Sequence, residues 1–237
     1  MSEQPIRRAA SVLLLRDGAP GARGAAAGPE VFVLQRAAGM VFAGGMTAFP
    51  GGGVETFDGT TDQPDPAVLP EPASTQRTAE RFGIDAGDAA AVLAAAVREL
   101  DEETGVRLDA EALHPLARWI TPQGQPRRYD TFFFLARCPS SAEPVSRGAE
   151  AELVRWLRPA EALRQARSGA VAMLPPTVAL LTGLQDADSV AAALAAADSA
   201  GPIPAITPRV VSAPGEQLRV AAGGREYPAL GVPMSPR

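Results

Sequence analysis

Nine residues near the middle of the chain, Arg98-Glu99-Leu100-Asp101-Glu102-Glu103-Thr104-Gly105-Val106, constrain its fold more than any other stretch. They continue an alanine-rich run, Ala89 to Val97, whose residues favour helix. At about 100° per residue, Glu99, Glu102 and Glu103 share one helix face, while Val97 and Leu100 turn toward a core. Gly105 stands where a left-handed residue would end the helix. Three carboxylates, with Asp101 beside them, therefore crowd the last turn. There the helix dipole is already negative, and like charges at this spacing repel. A cation would offset both penalties, and clustered carboxylates suit hard Mg²⁺ or Mn²⁺. Taken alone, the glutamates also read as a solvated acidic face.

A second constraint lies upstream. Gly39 to Glu55 is glycine-rich and contains Phe49-Pro50-Gly51-Gly52-Gly53-Val54-Glu55. The backbone N–H groups of Gly51 and Gly53 can approach a phosphate closely, with Arg36 at the end of the preceding strand as a cationic partner. Ordinary tight turns would need the same glycines.

The nine-residue stretch resembles the second half of the Nudix box, which ends R-E-(aliphatic)-x-E-E-x-G-(aliphatic). The glycine stretch resembles its opening. With Gly52 as the box glycine, the family's next acid falls on Asp58, a conservative departure. Between that acid and Arg98 stand 39 residues, where the family has seven. Thr60 to Glu71 reads as loop, Thr75 to Phe82 as a short helix, and Asp85 or Asp88 as the cap of the acidic helix. The insertion, about residues 59–88, thus precedes the helix and leaves its register intact. It is expected either as a substrate-selecting flap or as a passive surface excursion.

An interrupted box of this kind is similar to a branch containing peroxisomal-type coenzyme A diphosphatases and their bacterial relatives. Trp119-Ile120-Thr121-Pro122 and Arg127-Arg128-Tyr129-Asp130-Thr131-Phe132-Phe133 carry the likeness beyond the box. The resemblance implies an α/β fold, a mixed β-sheet sandwiched between helices. It implies hydrolysis of a nucleoside diphosphate linked to another moiety, with coenzyme A or an acyl derivative as candidate. It implies Mg²⁺ or Mn²⁺ held by Glu99, Glu102 and Glu103 with a backbone carbonyl near Gly52. The general base would be Glu102 or Glu103, with Glu150 or Glu152 in a later loop as the outside choice. Arg98 would hold the glutamates in place. Other readings stay open: a hydrolase for ADP-ribose, NADH or a nucleotide sugar, or a Nudix fold used only to bind a ligand.

Arg127 and Arg128 lie between two expected strands, Leu113 to Ile120 and Tyr129 to Ala136. They could clamp a phosphate, or simply belong to a polar hairpin loop. Earlier, Ala9 to Leu15 and Val31 to Gln35 read as an antiparallel hairpin around a Gly/Ala-rich loop. Later, Glu150 to Pro159 resembles a strand leading into a helix, with Trp156 in the core. Pro175 to Leu184 and Val190 to Ala197 read as helices. Composition shifts at Asp186, so residues 1–185 are expected as the catalytic domain and 186–237 as an extension. Short strands are expected at Ile206 to Val211 and Leu218 to Val220.

Composition narrows the partners. A formal charge of −5 and a pI near 5.1 argue against a nucleic-acid backbone. No run is long and apolar enough to span a membrane, and the polar start lacks a secretory core. Cys138 is the single cysteine, which suits a reducing cytoplasm. His114, the single histidine, has no nucleophile motif beside it and reads as structural. The expected partner is a small-molecule diphosphate, and the family resemblance adds a homodimer.

Overall fold

The computed structural model describes residues 5–18, 28–39, 43–55, 70–147, 151–213 and 216–231. Its centre is a nine-stranded mixed sheet among the described residues. Strand β1 (Ile6–Asp17) carries the apolar run Val12 to Leu15, buried throughout, so both of its faces must be covered. It pairs antiparallel with β2 (Pro29–Arg36) through Leu15↔Val31 and Asp17↔Pro29, as the hairpin reading expects. On its other side it runs parallel to β6 (Arg128–Arg137), which pairs antiparallel with β5 (His114–Ile120). Strands β3 (Met46–Ala48) and β8 (Ala172–Met173) complete one edge. Strand β9 (Ala205–Ile206) completes the other. Strand β4 (Gly51–Gly53) pairs with β1, and β7 (Ala151–Leu157) with β2.

Alternation along β1, β5 and β6 gives the sheet two different faces. Ala10, Val12, Phe132 and Phe134 belong to one apolar cluster with Leu93, Ala96 and Leu100 of α2 (Ala86–Thr104). Helix α1 (Pro72–Phe82) completes this layer. Its Phe82 meets Phe132 and Phe134 edge to face, with ring centroids 5.1 and 5.6 Å away. The helical part of the insertion is therefore core. Neither reading offered for the insertion, flap or surface excursion, describes α1, whose Phe82 is buried within this cluster. Residues 56–69, including Asp58, lie outside the described residues.

The opposite face buries Leu13, Leu15, Trp119, Phe133 and Leu135 against α3 (Pro159–Arg167), α4 (Pro175–Leu184) and α5 (Val190–Ser199). Asp17 accepts the Val190 N–H at 2.8 Å, satisfying an unpaired donor at the start of α5 and holding that carboxyl below its usual pKa. His114 Nδ1 lies 2.7 Å from Asp198 Oδ1 and ties β5 to the end of α5, a structural contact. Trp156 is only half-buried: Phe32 covers one side, and the Arg16 guanidinium sits 4.4 Å over its ring. It packs at the margin of the core expected for it, with its outer side under the guanidinium.

Under α1, Arg118 makes a two-pronged contact with Asp130, at 2.6 and 2.9 Å, and lies 4.8 Å over the Phe132 ring. The carboxylate keeps the guanidinium's pKa above the ordinary arginine range. The side chains are 19% and 10% exposed, so removing one partner strands a largely buried charge. Asp130→Ala is expected to destabilise the fold by about 3 kcal/mol, read as a lower urea midpoint. An unchanged midpoint would show that Arg118 reaches solvent.

Past α5, β10 (Arg209–Val210), β11 (Arg219–Ala222) and β12 (Arg225–Pro228) form a small antiparallel sheet. No helix among the described residues is long and apolar enough to cross a membrane.

Candidate active site

Helix α2 begins at Asp85, whose carboxylate accepts the Asp88 N–H at 2.8 Å. That settles the choice of cap, because Asp88 instead binds Arg8 through both carboxylate oxygens. The helix ends at Gly105, in the left-handed region with φ 76°, whose N–H returns to the Asp101 carbonyl at 2.8 Å. Two following N–H groups, from Val145 and Arg147, satisfy the Thr104 and Glu103 carbonyls. Leu100 and Val106 are buried. Asp101 is turned to Arg107, at 2.9 Å, and to Arg147, at 3.4 Å. It is thereby separated from the glutamates of the other face.

Those glutamates meet β4. Glu103 Oε2 accepts the Gly51 N–H at 2.9 Å. The Glu99 carboxylate occupies the space that a side chain on Gly52 would fill. Arg98 donates to the Gly53 carbonyl at 2.9 Å and lies 2.9 Å from Glu99 and 3.0 Å from Glu102. Glu55 stands 3.9 Å from the same guanidinium. Glu102 is the more exposed of the helix carboxylates, at 57% against 15% for Glu99. Gly51 has φ 155°, and a Cβ there would strike the Ala10 carbonyl, so the turn into β4 excludes a side chain.

The Gly52 carbonyl does not face the helix. Val12 N–H bonds to the Pro50 carbonyl and Val54 N–H to the Arg8 carbonyl, with Ala10↔Gly52 between them in register. Alternation along the ladder turns the Gly52 amide and carbonyl toward β1, and those of Gly51 and Gly53 toward the helix. The expectation of a metal-binding carbonyl near Gly52 therefore points to Gly51 or Gly53. Gly52 contributes its missing side chain, and the carbonyls on the helix side belong to its neighbours.

Beyond the glycines opens a cavity of about 560 Å³. Its floor is the sheet face bearing Ser11, Thr131 and Trp119, and Glu99 and Gly51 to Gly53 line it at one end. Because β4 lacks side chains, the helix carboxylate reaches a cavity on the far side of that strand. Arg36 and Arg127 line the cavity as well. Arg128 does not. It is 6% exposed, starts β6 on the other face from Tyr129, and donates from Nε to the Thr121 carbonyl at 3.1 Å. Of the two arginines expected as a phosphate clamp, only Arg127 lines the cavity, because neighbouring strand positions face opposite ways.

Glu152 is not brought to the cavity, and its carboxylate accepts the Ala38 N–H at 3.1 Å. Glu150 lies outside the described residues. Sequence reasoning missed Leu174 to Thr177, Pro208, Leu218 and Val220, which also line the cavity. They come from distant parts of the chain, and no local pattern joins them.

By donor chemistry the glutamates fit a hard divalent cation. Among the described residues no three acidic, histidine or cysteine side chains converge on one point. Arg98 pairs with both Glu99 and Glu102, and the Gly51 N–H with Glu103.

Comparison with known proteins bears on the fold. Residues 83–175 match the NUDIX domain model. No curated protein matches the sequence. A NUDIX hydrolase from Alicyclobacillus acidocaldarius has a similar structure, with a TM-score of 0.63 at 26% identity, over 85% of this chain and 99% of that one. A MutT NUDIX hydrolase from Burkholderia pseudomallei aligns with a TM-score of 0.42 at 17% identity, over 67% of this chain and 87% of that one. A MutT/nudix family protein from Enterococcus faecalis aligns with a TM-score of 0.42 at 18% identity, over 66% of this chain and 45% of that one. The mixed sheet between helical layers is the Nudix fold.

Proposed function

We propose that this chain, a Nudix hydrolase, uses a divalent cation to cleave the diphosphate of a nucleoside diphosphate joined to a second moiety. The observation that carries this reading is the continuity of one cavity from Glu99 and the side-chain-free strand to Arg127. Glu99, Glu102 and Glu103 would hold Mg²⁺ or Mn²⁺. That ion, when bound, supplies charge neutralisation on the diphosphate and a lowered pKa for the attacking water.

The chain's own groups do the rest. Glu102, exposed and restrained chiefly by Arg98, takes the proton as the water oxygen bonds to one phosphorus. The bridging P–O bond on that phosphorus breaks, releasing a nucleoside monophosphate and the phosphorylated second moiety. Arg98 is a positioning residue: its guanidinium fixes Glu99 and Glu102 against the Gly53 carbonyl. Arg127, which lines the same cavity, binds a phosphate oxygen, and Arg36 is a second cation on its lining.

Arg127 is exposed, with no ion pair among the described residues, so its loss should cost binding without unfolding. Arg127→Ala is expected to raise KM about tenfold, with kcat nearly kept and thermal midpoint unchanged. An unchanged KM would remove Arg127 from the site.

Coenzyme A and its acyl derivatives are the first substrates to try, supported by the interrupted box and the sequence after it. The test is product release from coenzyme A, an acyl coenzyme A, NADH, ADP-ribose, a UDP-sugar and a nucleoside triphosphate, with Mg²⁺ and with Mn²⁺. Preference for the coenzyme A pair upholds that substrate. Preference for another diphosphate keeps the mechanism and discards it. No turnover of any of them, with metal bound, turns the reading to a ligand-binding module.

A further inference from the structure

The chain beyond α5 crosses the cavity face of the sheet from one edge to the other. It leaves α5 at the β5 edge, where the Ile203 N–H bonds to the Arg81 carbonyl at 2.7 Å and β9 pairs with Arg118 and Trp119. It reaches the opposite edge at Leu230, which exchanges two backbone hydrogen bonds with Met173 of β8, at 2.7 and 2.9 Å. Between these anchors the small sheet rests on the floor through Tyr227, whose ring meets Trp119 edge to face at 5.2 Å. Val220 is 2% exposed. A segment pinned at both sheet edges and packed at its middle is a wall of the cavity.

That wall is apolar where it borders the cavity. Pro208, Leu218 and Val220 face it from the tail, and Leu174 to Thr177, with one hydroxyl at Thr177, from the α4 side. Recognition of a base edge or a sugar needs placed donors and acceptors. A hydrocarbon arm needs only apolar area removed from water.

We infer that the C-terminal strap, through Leu218 and Val220, determines specificity by receiving an aliphatic arm on the moiety beyond the diphosphate. This rests on the reading of the cavity as the diphosphate site. The preferred substrate then carries an alkyl or acyl chain there, and a sugar in that place is a poor substitute.

The test is a series of adenosine 5′-diphosphate β-alkyl esters, methyl to octyl, with kcat/KM measured in Mg²⁺. Each methylene that enters the pocket should raise kcat/KM about three- to fourfold, the factor expected for burying one CH₂. Leu218→Asn and the near-isosteric Val220→Thr should flatten that dependence, with thermal midpoints showing that both variants fold. Equal kcat/KM along the series in the wild type would overturn the inference while leaving diphosphate hydrolysis intact. So would variants that keep the wild-type slope. Failure to turn over any member, the methyl ester included, would overturn the diphosphate reading and this inference together.

Discussion

Glu102→Gln is expected to lower kcat by about 10²- to 10⁴-fold while leaving the fold unchanged. The substitution keeps the shape of the side chain and removes its charge and basicity. Glu102 is 57% exposed and bonded to Arg98 at 3.0 Å across one helical turn, a contact worth little to stability at such exposure. An amide there can still accept from Arg98, so Glu99 keeps its support. Loss of activity would therefore report the carboxylate and not a disordered helix. Circular dichroism and thermal midpoint should match the wild type. Full activity of the variant would remove Glu102 both as base and as metal ligand.

Gly52→Ala tests the other half of the site and should be nearly as damaging. A Cβ at this position overlaps the Glu99 carboxylate, so one of the two must move. Glu99 is the end of a flexible side chain, and the strand is fixed by its ladder to β1, so the carboxylate gives way. The expected loss is about 10²-fold in kcat/KM, the cost of misplacing a catalytic group by about 1 Å, and metal should bind more weakly. Excess Mg²⁺ should recover part of the rate. A variant with wild-type activity at low metal would show that Glu99 works elsewhere than against β4.

The contrast between these two positions also tells which parts were legible in the sequence. Helix α2 could be read because its determinants are local: alanine propensity, an aspartate cap, a glycine stop and charge at helical spacing. The family resemblance joined Gly52 to Glu99 across an insertion, and the structure brings the two groups into contact. The role of Gly52 was less legible, because the direction of its carbonyl depends on the register with β1, a long-range pairing.

Arg127 and Arg128 were indistinguishable for a similar reason: only the start of β6 decides which one meets the cavity. The insertion helix looked peripheral by composition. Its Phe82 became core through contacts with β6, about fifty positions away in the chain, beyond any local window. The tail's last hairpin did carry a signal, Gly223-Gly224 between two strand-like runs, a pair that favours a tight two-residue turn. That the hairpin lies on the cavity was not encoded in any such pattern.

A divalent cation acting at the Glu99–Glu102–Glu103 face is the central requirement of the proposed chemistry. The most direct measurement is turnover of the best diphosphate as Mg²⁺ or Mn²⁺ is titrated into metal-free enzyme, with Glu102→Gln alongside. The predicted result is no turnover in the presence of chelator, a saturable rise with metal in the wild type, and a nearly flat line for the variant. Hydrolysis that persists in chelator, or a variant that follows the wild-type curve, would contradict it.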